Sequence, residues 1–296
     1  MADIYAGLDL GGTKCATVLA EAKGENIRFL ARHEAKTRGA WQEIMAPLLE
    51  FLQRNSQHIK SCGISCGGPL DTRAGVILNP PNLMSFENVP IVEYVQNALG
   101  CPAKLQNDAD ACALAEWRFG AGRGTRNMIF LTFGTGLGAG LILDGRLYTG
   151  ARDLAGEAGH IRLAPDGPEG YRKRGSFEGF CSGGGIARLI RMRTGERYDA
   201  KELARLADAG DAQALHIWEE IGTQFGRGLA VLVDILNPEA IVAGSIFTRA
   251  YRFLYEPAMR ALREEALPES IADFRLLPAA LGERIGDYAS VAIGMM

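Results

Sequence analysis

At 296 residues, 47% hydrophobic and 23% charged, the chain is long enough for two modest domains with substantial cores. A net charge of −3 argues against nucleic acid as the main partner, because phosphate backbones demand basic patches. No apolar run approaches the roughly 18–20 residues of a membrane span, and Met-Ala-Asp-Ile-Tyr lacks the basic start of a secretory leader, so a cytoplasmic protein with no membrane partner is expected.

Ile4 to Leu8 is strand-like and runs into Asp9; Gly11-Gly12-Thr13-Lys14 reads as a turn, and Cys15 to Leu19 as the returning strand. Glycine is expected there because it tolerates the positive φ of tight hairpin turns. The tip suits a phosphate: glycine amides approach its oxygens closely, Thr13 adds a hydroxyl donor and Lys14 a cation. Asp9 would repel a bare phosphate, so its presence implies Mg²⁺ held nearby, directly or through water.

A third strand is predicted around Ile27 to Arg32. Residues 38–54 read as an amphipathic helix on Trp41, Ile44, Leu48 and Leu52, with Pro47 predicting a kink or a later start. Ser61 to Ser65 reads as a strand closed by the turn Cys66-Gly67-Gly68-Pro69. The Asn79–Asn88 stretch is a loop in which Asn82 and Asn88 either hydrogen-bond a polar ligand or serve turn geometry. Ile91 to Leu99 is a short helix with Gly100 as its cap. A strand over Pro102 to Leu105 then leads through Gln106-Asn107-Asp108 into an alanine-rich helix. Asp108 is either that helix's N-cap or a carboxylate exposed in an interdomain cleft. The Asn107-Asp108 pair, set against a second polar cluster downstream, favours a site.

Met128 to Phe133, the turn Gly134-Thr135-Gly136-Leu137-Gly138-Ala139-Gly140, and Leu141 to Leu143 repeat the strand–glycine–strand pattern of the N-terminus. One such unit in each half predicts two related domains with phosphate tips facing each other. Neither is a Walker loop. The second misses the dinucleotide spacing and is followed by a strand where a helix is required. Gly156-Glu157-Ala158-Gly159-His160 is the second polar cluster, its glycines disfavouring a helical core position, so Glu157 and His160 are expected to face a ligand. Arg172-Lys173-Arg174 reads as a solvated basic turn, followed by Glu178 and a glycine-rich entry, Cys181 to Gly185, to a helix over Ile186 to Arg193.

Residues 201–236 are helical in pattern, with Gly222, Gly226 and Gly228 implying close packing; Asn237-Pro238 ends the run. Ala240 to Ala243 is a buried strand, and the turn at Gly244-Ser245 lies at its carboxyl end, where an α/β sheet receives a ligand such as adenine. Gly286 to Met296 reads as a terminal helix. The six cysteines lie mostly in apolar surroundings without metal spacing, so buried reduced thiols are expected.

Asp9-x-Gly11-Gly12-Thr13-Lys14, Asn107-Asp108, Gly134 to Gly140 and Gly156-Glu157-x-Gly159-His160, in this order, resemble the ROK family of sugar kinases and repressors over essentially the whole length. The resemblance implies an α/β, two-domain actin-like ATPase fold (ribonuclease H-like, hexokinase-type) with a central cleft. Residues 1–118 plus 283–296 would form the smaller domain and 119–282 the larger. It implies ATP with Mg²⁺ as cofactors, a sugar as substrate, and a homodimer. On that basis Asp108 looks like the general base, with Gly68, Asn82, Asn107, Glu157, His160 and Glu178 touching the sugar. Gly7, Asp9, Gly11, Gly12, Thr13 and Lys14, with Gly134, Thr135, Gly136, Gly138, Gly140 and Gly244, look like the nucleotide clamps.

Three departures qualify the resemblance. Where the family carries a Cys-x-Cys-Gly-x-x-Gly-Cys-x-Glu zinc site, this chain has Glu169, Tyr171 and Ser176 in place of the cysteines, so no structural zinc is expected. The usual Pro-Gly of the sugar-side turn is Gly67-Gly68, and the Gly-Gly near adenine is Gly244-Ser245. The resulting expectation is transfer of the ATP γ-phosphoryl group to a hexose hydroxyl, most simply at C6. The alternatives are a repressor, for which a motif starting at residue 9 leaves no room for a helix-turn-helix, and a catalytically silent sugar or nucleotide sensor, which would have no need of Asp108.

Overall fold

The computed structural model describes residues 2–24, 26–56 and 58–296. The chain divides into two compact units, Met1–Gly124 with Leu147–Ala155 and Leu281–Met296, and Thr125–Arg146 with Gly156–Ala280. The sequence reading placed 119–282 in one piece. Leu147–Ala155 instead groups with the first unit, where the Thr72 hydroxyl donates to Asp153 at 2.6 Å.

The first unit is built on a five-stranded sheet whose strands run, in spatial order, Asn26–Lys36, Lys14–Lys23, Asp3–Leu10, Ser61–Cys66 and Ala103–Asn107. The first three pair antiparallel and the last two join in parallel. The outer strand Asn26–Lys36 alternates exposed and half-buried residues, as a sheet with one wet face requires, whereas Ser61–Cys66 is buried throughout. The helix expected over 38–54 runs Trp41–Asn55. It starts at Trp41, the first residue of its apolar period, and it carries Pro47 in its interior while burying Ile44, Met45, Leu48, Leu49 and Leu52 in the core. Ile91–Leu99 ends at Gly100 in the left-handed region, as the sequence predicted.

The terminal helix, Ile285–Gly294, lies on this sheet. Contact is close because Gly63 in the central strand has no side chain: a Cβ there would collide with the Ser290 carbonyl and stand 2.5 Å from the Gly294 nitrogen. The Ser61 hydroxyl donates to the Gly294 carbonyl beside it. Backbone has nowhere to retreat on either side. Gly63→Ala is therefore expected to cost about 3 kcal/mol or more of stability, read as a drop in the denaturant midpoint. An unchanged midpoint would show that the helix rides on the sheet loosely.

The second unit repeats the plan. Its sheet runs Arg146–Leu147, Ala139–Leu143, Met128–Leu131, Ala240–Ala243 and Arg275–Pro278. Met128–Leu131 pairs antiparallel with Ala139–Leu143 and parallel with Ala240–Ala243. The order of strands is the same in both sheets, numbered from the start of each: third, second, first, fourth, fifth. This is what two strand–glycine–strand openings in one chain foreshadowed.

The run over 201–236 is two helices, Ala200–Asp208 and Ala212–Leu236, separated where Gly210 takes φ +84° and Asp211 caps the second through the Ala214 amide. The long helix packs on Tyr251–Glu265 with Gly222 facing Pro257 and Gly226 facing Ala258. Phe133, Phe177, Phe225 and Phe247 form the aromatic centre, with ring centroids 5.2–5.9 Å apart. All six cysteines are free, five of them buried.

Candidate functional site

In the first unit, the tip after Asp9 is closed by the Gly11 amide donating to the Lys14 carbonyl at 3.2 Å. Neither Gly11 nor Gly12 has positive φ, which corrects the conformational reason given for them. The need is for space: a Cβ on Gly12 would stand 2.6 Å from the Asn82 backbone oxygen. The Pro- and Asn-rich loop is thereby laid directly against the turn, bringing Asn82 to the same place as Gly11, Gly12 and Thr13. The Lys14 ammonium is not free at the tip; it pairs with Glu34 at 2.6 Å and is 65% exposed. Gly7 does not join the turn either, being buried in its strand against Ser290 and Val18.

Asp108 follows directly on the Ala103–Asn107 strand, at the sheet's carboxyl edge. The helix it begins is capped by Asn107, whose Oδ1 accepts from the Ala109 amide at 2.9 Å. The capping role is thus filled by the neighbour, and Asp108 occupies the first helical turn with Oδ1 also 2.9 Å from that amide. Asn107 retains its Nδ2 hydrogens for another acceptor, beside Gly68. Oδ2 of Asp108 faces Gly67. The turn Gly67-Gly68 runs into Pro69 through a cis peptide bond.

Two carboxylates dominate the electrostatics of this cluster. Burial, then the charge of Asp108, raises the Asp9 acid to about 6, against a hydrogen bond from Ser65 that lowers it. Asp287 adds repulsion and Arg32 offsets part of it, its Nε lying 2.9 Å from Asp287 Oδ1. The Asp108 side chain is open to water on one side. The surrounding protein nevertheless withdraws enough hydration to raise its acid too, against the amides of Ala109 and of Asp108 itself, which lower it. A pair of hard oxygen donors held at a cost in repulsion suits a divalent cation carried in with phosphates. No cluster of three or more His, Cys, Asp or Glu able to hold a metal by itself occurs among the described residues.

In the second unit, the glycine-rich turn is closed from Thr132: its amide donates to the Gly138 carbonyl at 3.0 Å, and its hydroxyl accepts from the Gly138 amide at 2.9 Å. The Gly134 amide donates to Gly136, leaving Thr135 exposed at the apex. Gly140 lies beyond the turn, in the strand opposite Phe130. Glu178 reaches the turn, its Oε2 accepting from the Leu137 amide at 3.1 Å. It stands in the short helix Phe177–Phe180, capped by Ser176 through the Gly179 amide.

Gly156–His160 ends in a short 3-10 turn, Ala158–His160, which buries Ala158 and Gly159 and leaves Glu157 exposed and His160 half-buried. Gly159 backs onto the Leu137 carbonyl and the Glu178 side chain, so this loop, the glycine turn and Glu178 meet. His160 Nε2 lies 3.9 Å from Glu157 Oε2, its ring meets Tyr171 edge-on at 4.7 Å, and its carbonyl accepts from Lys173 Nζ.

Gly244-Ser245 also reaches the turn, with the Ser245 side chain against Gly134. Ser245 takes φ +54°, ψ −111°, a conformation glycine adopts freely and serine does not; its Oγ accepts from Arg249 Nη2 at 3.1 Å.

A zinc ion does not fit here. Ser176 is spent as a helix cap, and Tyr171 is the first of two residues, with Arg172, that turn a hairpin between Glu169–Gly170 and Lys173–Arg174 at φ +46° and +63°. Lys173 and Arg174, expected as a solvated turn, instead form that hairpin's second strand and bond the His160 carbonyl and Asp166.

Against models of protein families, the chain matches one described as ROK family over residues 5–292. It is 33% identical over 290 residues to the N-acetylmannosamine kinase of Salmonella typhi, covering 93% of this chain and 96% of that one. The crystal structure of the ROK hexokinase from Thermus thermophilus superposes with a TM-score of 0.85 at 31% identity, covering 99% of this chain and 98% of that one. A ROK family glucokinase from Streptomyces griseus, solved in complex with glucose and AMPPNP, gives a TM-score of 0.78 at 27% identity over 99% of both chains.

Proposed function

The chain belongs to the ROK family and has the actin-like ATPase fold of its sugar kinases, and on that premise we propose that it transfers the γ-phosphoryl group of ATP to a hexose hydroxyl, at C6. One observation supports this above the rest: Asp108 follows the strand edge directly with its capping duty taken by Asn107, so that its carboxylate is available as a base.

Phosphoryl transfer asks the protein for alignment, charge neutralisation and removal of one proton. Asp108 accepts the proton of the attacking hydroxyl, and its raised acid brings it nearer the working pH, where a base is most effective. Asn107 Nδ2 donates to the sugar, as do groups of Asn82 and Gly68. Glu157, His160 and Glu178 take sugar hydroxyls. The amides of the two glycine turns, with Thr13 and Thr135, bind phosphate oxygens. Asp9 would hold Mg²⁺ carried in with ATP, which would supply charge neutralisation at the phosphates.

Relatives named as glucokinase and as N-acetylmannosamine kinase support the class of substrate and leave both kinds of hexose in play. The six free thiols favour the cytoplasm, and no helix among the described residues is long and apolar enough to cross a membrane. A homodimer is part of the proposal on family resemblance.

A panel of glucose, mannose, fructose, allose, N-acetylglucosamine and N-acetylmannosamine, assayed for ADP release with Mg·ATP, tests it. Release that depends on at least one sugar is expected. Silence with all of them, alongside sugar binding by calorimetry, would return the chain to the sensor reading.

A further inference from the structure

We propose that the second unit holds a separate site for a phosphorylated sugar, between the Glu169–Arg174 hairpin and the Gly183–Thr194 helix. The proposal deepens the kinase reading, on which the choice of ligand rests. A cavity of about 420 Å³ lies there, lined by Gly167, Glu169, Arg174, Arg188, Arg191 and Met192, a size that suits a small-molecule ligand.

Three arginines, Arg174, Arg188 and Arg191, stand in its wall. Arg188 Nη1 donates to the Glu169 backbone carbonyl at 2.8 Å, which fixes the side chain without neutralising it. Arg174 Nε pairs with Asp166 at 2.8 Å. The Arg191 guanidinium has no hydrogen bond or ion pair among the described residues. Arg162 adds a fourth positive charge close by, donating to the Arg174 carbonyl. Against these stand the carboxylates of Asp166 and Glu169, so positive charge is in excess.

The remaining lining sets the kind of anion. Arginine forks match phosphate oxygens in pairs. Glu169 repels a bare anion but accepts hydrogen bonds from hydroxyls, and Met192, 46% exposed, offers an apolar surface to a sugar ring. A phosphate ester of a polyol satisfies all three; inorganic phosphate satisfies one. The site has a route to the chemistry within the same unit. The hairpin leads through Ser176 into the helix carrying Glu178, whose carboxylate holds the glycine turn at Leu137. A ligand tying Arg174 of the hairpin to Arg188 and Arg191 of the helix would fix that connection, so that the class of molecule the kinase makes acts on the loop bearing Glu178.

The test labels methionine methyls with ¹³C, assigns Met192 by Met192→Leu, and titrates the full chain with glucose 6-phosphate, glucose and inorganic phosphate. Glucose 6-phosphate is expected to shift the Met192 signal saturably, glucose to leave it unmoved, and inorganic phosphate to bind at least about tenfold more weakly. Arg191→Gln, which breaks no contact of the fold, is expected to weaken the effect about tenfold or more, and Arg188→Gln with Arg191→Gln to abolish it. A Met192 signal indifferent to glucose 6-phosphate, a shift undiminished in Arg191→Gln, or equal affinity for inorganic phosphate would each overturn the proposal. The shift is read without turnover, so a failure of the kinase reading would leave this result standing, and the reverse.

Discussion

Asp108→Asn is expected to lower sugar-dependent turnover by about 10²–10⁴-fold while the sugar's dissociation constant stays within a few-fold. The asparagine is isosteric and still accepts from the Ala109 amide through its Oδ1, so the helix start and the Asn107 cap survive. What disappears is the ability to take a proton. Steady-state kinetics and calorimetry on the same preparation separate the two quantities. Near-normal turnover would remove Asp108 from the chemistry.

A second readout guards against a merely structural explanation. Asp108 is the largest electrostatic contribution to the elevated Asp9 acid after burial, so its neutralisation lets Asp9 fall from about 6 toward the ordinary carboxylate range. The acid limb of any residual activity should move with it.

How much of this was visible in the chain follows from what each residue's role depends on. The two strand–glycine–strand openings are local, and the apolar runs and glycine turns around residues 4–19 and 128–143 predicted strands where strands occur. Ile91–Leu99 and its Gly100 cap are equally local. Failures begin where a partner distant in sequence decides. Gly12 is glycine because of Asn82, seventy residues on, and not because of its own φ.

The capping of Asp108's helix turns on a one-residue offset that composition cannot resolve: Asn107 and Asp108 are both good caps, and the strand's end at Asn107 settles which one serves. Pro47 argued against a continuous helix, but the buried face of Trp41–Asn55 carried it through. The Glu178–Leu137 bond and the arginine-lined cavity depend on residues brought together by the hairpin at Tyr171-Arg172, which stands where the family pattern places cysteines. The basic run at Arg172–Arg174 announced a turn, but no local signal announced the two short strands it joins.

Asp9→Asn should make the protein more stable and less active at once. The sign follows from the direction of the shift. The unfolded-state acid lies near 3.8 and the folded one at about 6, so the folded chain binds the proton more tightly. Below about pH 3 both states are protonated and the site contributes nothing. Between about 3 and 6 the unfolded state ionises first and stability falls, and above about 6 nearly the whole penalty is present. Its size, for a carboxylate that water partly reaches, is roughly 2–3 kcal/mol.

Asparagine removes the charge and its repulsion from Asp108 and Asp287. The variant should therefore gain about that much at pH 8 and little at pH 4, read as the difference in denaturant midpoint between the two conditions. Nucleotide reverses the ranking. If Asp9 is kept ionised in order to hold a cation carried in with phosphates, Mg·ATP must stabilise the wild type more than the variant, since the cation recovers in the complex what the bare site loses in repulsion. Equal thermal shifts on adding Mg·ATP, or a gain at pH 4 as large as that at pH 8, would mean that the carboxylate at the first glycine turn has another use.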